Sequence, residues 1–397
     1  MFAALPFRFI ALLSIFAVGV AACGDDDTAE TDTGADAIAD AGTDAEGSAD
    51  GGTDATTDTV EPLPELYAGH VTRTWVDSSR DRTLTVEIWY PTTQAPASPL
   101  PSIDTYETGD RQTRIQELLS TAPAGCPETT SSATRDAVPY EGTWPLLTFS
   151  HCYGCLRWSG ASIASELARE GYVVVAPDHN GTTLWDRDAD TLGELTDEEL
   201  QARAADVRFL LDTLLQGGAE AEIPAGLGFD VDRIGAFGHS FGAVTSALVS
   251  QEDERIRAFG ALAAPAVNPL FASTTIEELT DPALFLVATE DNSITEFGNQ
   301  LLRSNFADKP GPGVAWLVEV VDAGHWSFSD INGLTPEVMP GCGTANRQTN
   351  GDEFTYLDPL TGRQAATEWT VAFFNAVFSD TYVTPEAPRD DSWQVRP

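Results

Sequence analysis

The chain has 397 residues, 62 of them acidic and 21 basic, for a formal net charge of −41. That balance opposes binding to nucleic acid or to anionic lipid, both of which require a basic face. Hydrophobic residues make up 42%, enough for a sizeable core, and an α/β domain uses about 250–300 residues as one unit.

Residues 1–22 place Arg8 before an apolar run from Phe9 to Ala22, which is too short for a comfortable membrane span. The run closes in Val20-Ala21-Ala22-Cys23. This resembles the lipobox of a bacterial lipoprotein signal peptide. The resemblance implies cleavage before Cys23, a diacylglyceryl thioether on that residue, and an exported protein anchored at the outer membrane or cell surface. An ordinary secretory signal with an incidental Cys23 is the alternative. Residues 23–62 are low-complexity Asp, Thr, Ala and Gly, and no arginine or lysine follows until Arg73. Self-repelling charge without apolar periodicity predicts a disordered acidic tether. No stretch of it has the spacing of an EF-hand calcium loop. Thirteen acidic residues fall in 24–61, so the remaining chain still carries about −28. With one lysine (Lys309) beside twenty arginines, the surface is expected to suit saline surroundings, where counterions screen its repulsion.

A catalytic domain is predicted over 63–382, with a C-terminal tail at 383–397. "RTLTVEIWYPT" (82–92) alternates as an early strand. "WPLLTFS" (144–150) is a buried strand, followed by His-Cys-Tyr-Gly-Cys and a helix "ASIASELAREG" closed by Gly171. "YVVVAPD" (172–178) is the next strand. From Thr196 a capping box opens a helix with Leu200, Ala204, Val207, Leu211 and Leu214 on one face. Strands follow in "DRIGAFG", "RAFGALAAP", "ALFLVAT" and "AWLVEVVDAG", with helices in "FGAVTSALVSQ" and "QAATEWTVAFFNAVF". Short buried strands alternating with helices predict a mostly parallel central sheet with helices on both faces, and catalytic loops at the strands' carboxyl ends. Segments 101–142 and 333–365 are long enough to be partial lids. Nucleotide-binding glycine signatures are missing from the sequence, and neither a cofactor nor a metal is expected.

Gly238-His239-Ser240-Phe241-Gly242 fits G-x-S-x-G, and it lies between a predicted strand and a predicted helix. That is the context of a nucleophile elbow, with the helix N-terminus beneath the serine and the developing oxyanion. A serine needs a histidine to take its proton, and that histidine needs a carboxylate to orient it. In α/β-hydrolases the order is Ser, acid, His. Among the histidines at 70, 151, 179, 239 and 325, only His325 follows Ser240. Asp291, just past "ALFLVAT", is the preferred acid; Glu290 is the runner-up, and Asp322 stands too close to His325 along the chain. The oxyanion hole requires two backbone N–H donors, one from Phe241 and one from the loop His151-Cys152-Tyr153-Gly154.

These pieces together resemble the dienelactone-hydrolase superfamily over most of residues 70–380. The similar branch holds plasma-type platelet-activating-factor acetylhydrolases and bacterial lipases and polyesterases. The carriers are "LLTFSHCYG", "GYVVVAPDHNGTT", "RAADVRFLLDTLL", "DRIGAFGHSFGA", "VATEDNS" and "DAGHWSFSD". The resemblance implies the α/β-hydrolase fold, Tyr153 as the second oxyanion donor, and a monomer acting on a small-molecule or lipid ester. Cys152 stands where the family has glycine, and Asn180 where it has proline. His151 and His179 are read as structural supports of the site, with contact to substrate as the alternative, and Trp326 as a wall of the substrate pocket.

Beyond Cys23, the cysteines are Cys126, Cys152, Cys155 and Cys342. In an exported protein these allow two disulfides in three pairings, with Cys152–Cys155 slightly preferred. Two rival functions remain at this level. Cys152-Tyr153-Gly154-Cys155 before a helix is the spacing of a thiol oxidoreductase, and a hydrolase fold also serves as a non-catalytic binding module.

Overall fold

In the central strands, alternate residues face opposite sides of the sheet, and both sets are apolar. The computed structural model describes residues 64–216, 221–311, 313–379 and 391–396. The predicted signal segment, Cys23 and the acidic tether lie outside them. The chain divides into two units, Met1–Val60 and Glu61–Pro397, and every described residue belongs to the second.

The elements run β1 (Tyr67–Asp77), β2 (Arg82–Thr92), α1 (Gly109–Thr121), β3 (Thr134–Arg135), β4 (Gly142–Ser150), α2 (Ala161–Arg169), β5 (Val173–Pro177), α3 (Leu184–Asp188) and α4 (Asp197–Gln216). They continue as β6 (Leu227–His239), α5 (Phe241–Glu252), β7 (Ile256–Leu262), β8 (Ala283–Ala288), α6 (Thr295–Asp308), β9 (Ala315–Val320), β10 (Thr344–Asn346), β11 (Glu353–Thr355), α7 (Pro359–Phe378) and β12 (Ser392–Arg396). Ten strands form one sheet in the order β12-β9-β8-β7-β6-β4-β5-β2-β1-β3. From β9 through β5 every pair is parallel, whereas β2 joins β5 antiparallel and β1 joins β2 antiparallel.

The two apolar faces explain the layers. On β5, Val174 and Ala176 join the core containing α2 and α7, while Val173 and Val175 join the one containing α4 and α5. On β8, Leu284, Leu286 and Ala288 face the first layer; Ala283, Phe285 and Val287 face α5 and α6. Strands buried on both sides need helices on both sides, and this is the α/β-hydrolase architecture expected from the sequence. The tail boundary at 382 needs correction. Ser392–Arg396 pairs antiparallel with β9 and belongs to the sheet.

Candidate active site

The ends of three parallel strands carry the reactive side chains. β6 runs directly into α5, and Ser240 occupies the turn with φ 57° and ψ −121°. A non-glycine residue held there is strained, which is characteristic of functional turns. Its neighbours must be glycine for a simpler reason. A Cβ on Gly242 would lie 1.8 Å from the Ser150 carbonyl oxygen, and one on Gly238 would lie 2.2 Å from that of Gly242. The motif therefore lets β4, β6 and α5 meet backbone to backbone.

Ser240 Oγ does not cap α5; it hydrogen-bonds His325 Nε2 at 2.8 Å. On the other side of that ring, Nδ1 donates to Asp291 Oδ2 at 2.7 Å. Asp291 is fully buried, and its second oxygen accepts the N–H groups of Ser293 and Ile294, both at 2.9 Å. The rival carboxylates are committed elsewhere. Arg347 donates to Glu290 at 2.7 Å and to Asp322 at 2.6 Å. Gln348 donates to the Asp291 carbonyl oxygen at 2.6 Å. The segment predicted as a second lid thus braces the acid's loop.

Behind the loop after β4, the backbone is held at several points. His151 Nδ1 donates to the Cys152 carbonyl oxygen at 2.7 Å, and its Nε2 accepts the His179 N–H at 2.9 Å. In a trans peptide the C=O and the following N–H point in opposite directions. Fixing Cys152 C=O against the buried His151 ring therefore turns the Tyr153 N–H away from it. Gly154 N–H donates to Thr182 O at 2.7 Å. The Phe241 N–H, at the first position of α5, has no acceptor within its helix.

His151 and His179, candidates both for the pocket and for its structural support, are fully buried behind the loop. His179 donates from Nδ1 to Asp206 at 3.0 Å, and its Nε2 accepts from Ser150 Oγ at 3.2 Å. Burial, reinforced by the nearby Arg203 charge, holds the His151 ring well below its ordinary pKa and brings His179 down to about 3. Both rings are neutral and structural. Trp326 lies edge-on to the His325 ring, with centroids 4.9 Å apart.

The cysteines pair as Cys152–Cys155 and Cys126–Cys342. The first closes a small ring around Tyr153-Gly154. The second joins the two segments predicted as lids. Cys152 and Cys155 are fully buried, which leaves no exposed sulfur for an incoming thiolate to attack. Among the described residues no cluster of His, Cys, Asp or Glu is arranged to hold a metal ion.

Two residues given no role in the sequence reading belong to this site. His239 precedes Ser240, and its Nε2 donates to the His325 carbonyl oxygen at 2.7 Å. Arg203 on α4 reaches the His151 carbonyl oxygen from within the core. Neither has a linear signature: His239 occupies a variable motif position, and arginine on a helix ordinarily reads as solvent-facing.

Similarity to known proteins agrees with the fold. The sequence pattern of the dienelactone hydrolase family matches residues 139–321, and that of platelet-activating factor acetylhydrolase, isoform II, matches residues 70–201. A platelet-activating factor acetylhydrolase from Canis lupus familiaris is 28% identical over 230 positions, covering 49% of this chain. The chain spans half (50%) of that relative's length. A ferulic acid esterase from Streptomyces cinnamoneus superimposes with a TM-score of 0.62 at 22% identity, over 84% of this chain and 98% of the esterase. Sheet order, strand-end site and similarity converge: the chain has the α/β-hydrolase fold and is similar to the dienelactone hydrolase family over residues 139–321.

Proposed function

We propose that the protein is a serine hydrolase of carboxylic esters. The observation that carries this reading is the hydrogen-bonded chain from Ser240 Oγ through His325 to Asp291. As Ser240 Oγ bonds to the ester carbonyl carbon, its proton passes to His325 Nε2, and Asp291 stabilises the imidazolium. The carbonyl oxygen becomes an oxyanion between the N–H groups of Phe241 and Tyr153. Collapse breaks the bond to the alcohol, which leaves with the proton from His325. Water, deprotonated by the same ring, then releases the acid and restores Ser240. Trp326 forms a wall of the pocket beside the base. The named relatives, an acetylhydrolase and an esterase, support ester chemistry. A lipid on Cys23 would hold the domain at a membrane surface.

The test is turnover of p-nitrophenyl acetate, with a fluorophosphonate adduct mapped by mass spectrometry. Turnover lost in Ser240→Ala and an adduct on Ser240 are expected. Wild-type turnover by a folded Ser240→Ala protein would overturn the mechanism. Esters of rising acyl length, and a polyester film, then rank the substrates.

A further inference from the structure

Arg203 is a fully buried arginine that no ion pair holds among the described residues. Its guanidinium donates to the His151 carbonyl oxygen, to Thr182 Oγ1 at 2.8 Å and to Thr245 Oγ1 at 3.1 Å. No carboxylate lies within ion-pair distance of it among the described residues. Desolvating a cation with no carboxylate in contact is costly, and burial pulls its pKa down to about 9 against the longer-range attraction of Glu199 and Asp206. Such a group is a burden on stability unless it organises something.

Its contacts show what it organises. The His151 carbonyl belongs to the peptide immediately before Cys152–Tyr153, whose N–H is the donor from the β4 loop. The guanidinium also lies over the Phe241 ring, 4.5 Å from the centroid. Thr245, which accepts from Arg203, donates in turn to the Phe241 carbonyl oxygen at 2.9 Å. One side chain therefore touches both the β4 loop and the Phe241 side chain and backbone support, the two elements that carry the halves of the oxyanion hole.

We propose that Arg203 is the positioning residue that sets the separation and aim of the Tyr153 and Phe241 N–H groups. This rests on the ester-hydrolase reading above. Preorganised donors stabilise the transition state only when already aimed at the oxyanion's position. A planar guanidinium spans three acceptors and a ring at once, which a lysine ammonium cannot do. Its positive charge behind the two donors acts in the same direction.

The experiment compares wild type, Arg203→Lys and Arg203→Met on one p-nitrophenyl ester, with Ser240→Ala as reference. We expect kcat to fall about tenfold in Arg203→Lys and about a hundredfold in Arg203→Met, the latter being the cost of losing one oxyanion donor. KM should change less than threefold. Affinity for a trifluoromethyl ketone, which forms a tetrahedral adduct on the serine, should fall in step with kcat. The downfield proton resonance of the His325–Asp291 bond should persist, because the triad itself is untouched. If Arg203→Met does not fold, Thr182→Val and Thr245→Val each detach one arm, and each should lower kcat severalfold at constant KM. Unchanged kcat and ketone affinity in the folded variants would overturn the clamp alone. Absence of ester turnover in wild type, or its survival in Ser240→Ala, would overturn the enzymatic reading and the clamp with it.

Discussion

His239 donates its Nε2 proton to the carbonyl oxygen of His325, 86 residues further along the chain, at 2.7 Å. The residue before Ser240 thereby fixes the backbone of the residue proposed to deprotonate it. Burial, with the neighbouring His325 charge, lowers the His239 pKa to about 3, so the ring stays neutral and keeps this one tautomer. Its Nδ1 has no partner among the described residues, and the bond to His325 is its polar role.

His239→Phe should therefore reduce kcat about tenfold or more, and cost about 1–3 kcal/mol of stability from the unpaired carbonyl. Glutamine places an amide N–H near the Nε2 position. His239→Gln should recover most of the activity, measured as kcat beside the midpoint of urea unfolding. Equal damage from both variants would show that ring packing, not the bond, is what matters.

The three acidic candidates should separate cleanly. Asp291→Asn is expected to lower kcat by about 10⁴, as loss of the orienting carboxylate does in related triads. Glu290→Gln should stay within about tenfold, because Glu290 serves Arg347 rather than the base. Steady-state kinetics of the two variants decide it, and the reverse ranking would reassign the acid.

Joint replacement of Cys152 and Cys155 by serine should lower kcat more than it raises KM. The ring these residues close contains Tyr153, and a misaimed donor costs up to about 3–4 kcal/mol of transition-state stabilisation. Peptide mass mapping of the oxidised protein checks the pairing independently. Full activity in the double variant would leave the histidine and arginine contacts as sufficient support.

Asp330 supplies a pH signature in stability. Its carboxylate accepts from Ser162 N–H at 3.0 Å and from the Ser162 hydroxyl, yet burial raises its pKa from 3.8 to about 6. The native state thus binds this proton more tightly than the unfolded chain does. The group's contribution is full below about pH 4 and is lost as pH rises through about 6. Two pH units correspond to about 3 kcal/mol. Asp330→Asn should therefore gain on wild type by about 2–3 kcal/mol between pH 4 and pH 7, followed by urea denaturation. A difference that does not vary with pH would contradict the assignment.

Salt should stabilise the domain. About −28 remains outside the acidic segment, and the screening length falls from ~30 Å at 0.01 M to ~3 Å at 1 M. A melting temperature that rises over this range is expected, and one that stays flat or falls would remove the inference of saline surroundings.

The sequence is most readable where chemistry and secondary structure coincide. Ser240 stands out because a strand, a glycine turn and a helix meet around it, and His325 because no other histidine follows. The sheet's centre is legible from runs such as Tyr172–Asp178, which bury both faces. α6 is harder to see: Gly298 and polar residues interrupt its apolar face, and its burial depends on β8 and β9. β12 follows a proline-containing stretch and gains its identity only by pairing with β9. His151, His179, His239 and Arg203 show the general limit. Each is polar, and each is buried because of a partner distant in sequence, which no local pattern encodes.

The bond between Cys126 and Cys342 spans 216 positions, and Ser240, Asp291 and His325 all fall within that span. The chain is thereby a covalent loop with two free arms rather than a linear thread. In the chain-entropy description, closing a loop of this size removes roughly 5 kcal/mol of freedom from the unfolded ensemble. It also changes what a protease achieves. A single cut anywhere between the two cysteines leaves one molecule, its halves still tethered, until a reductant opens the loop.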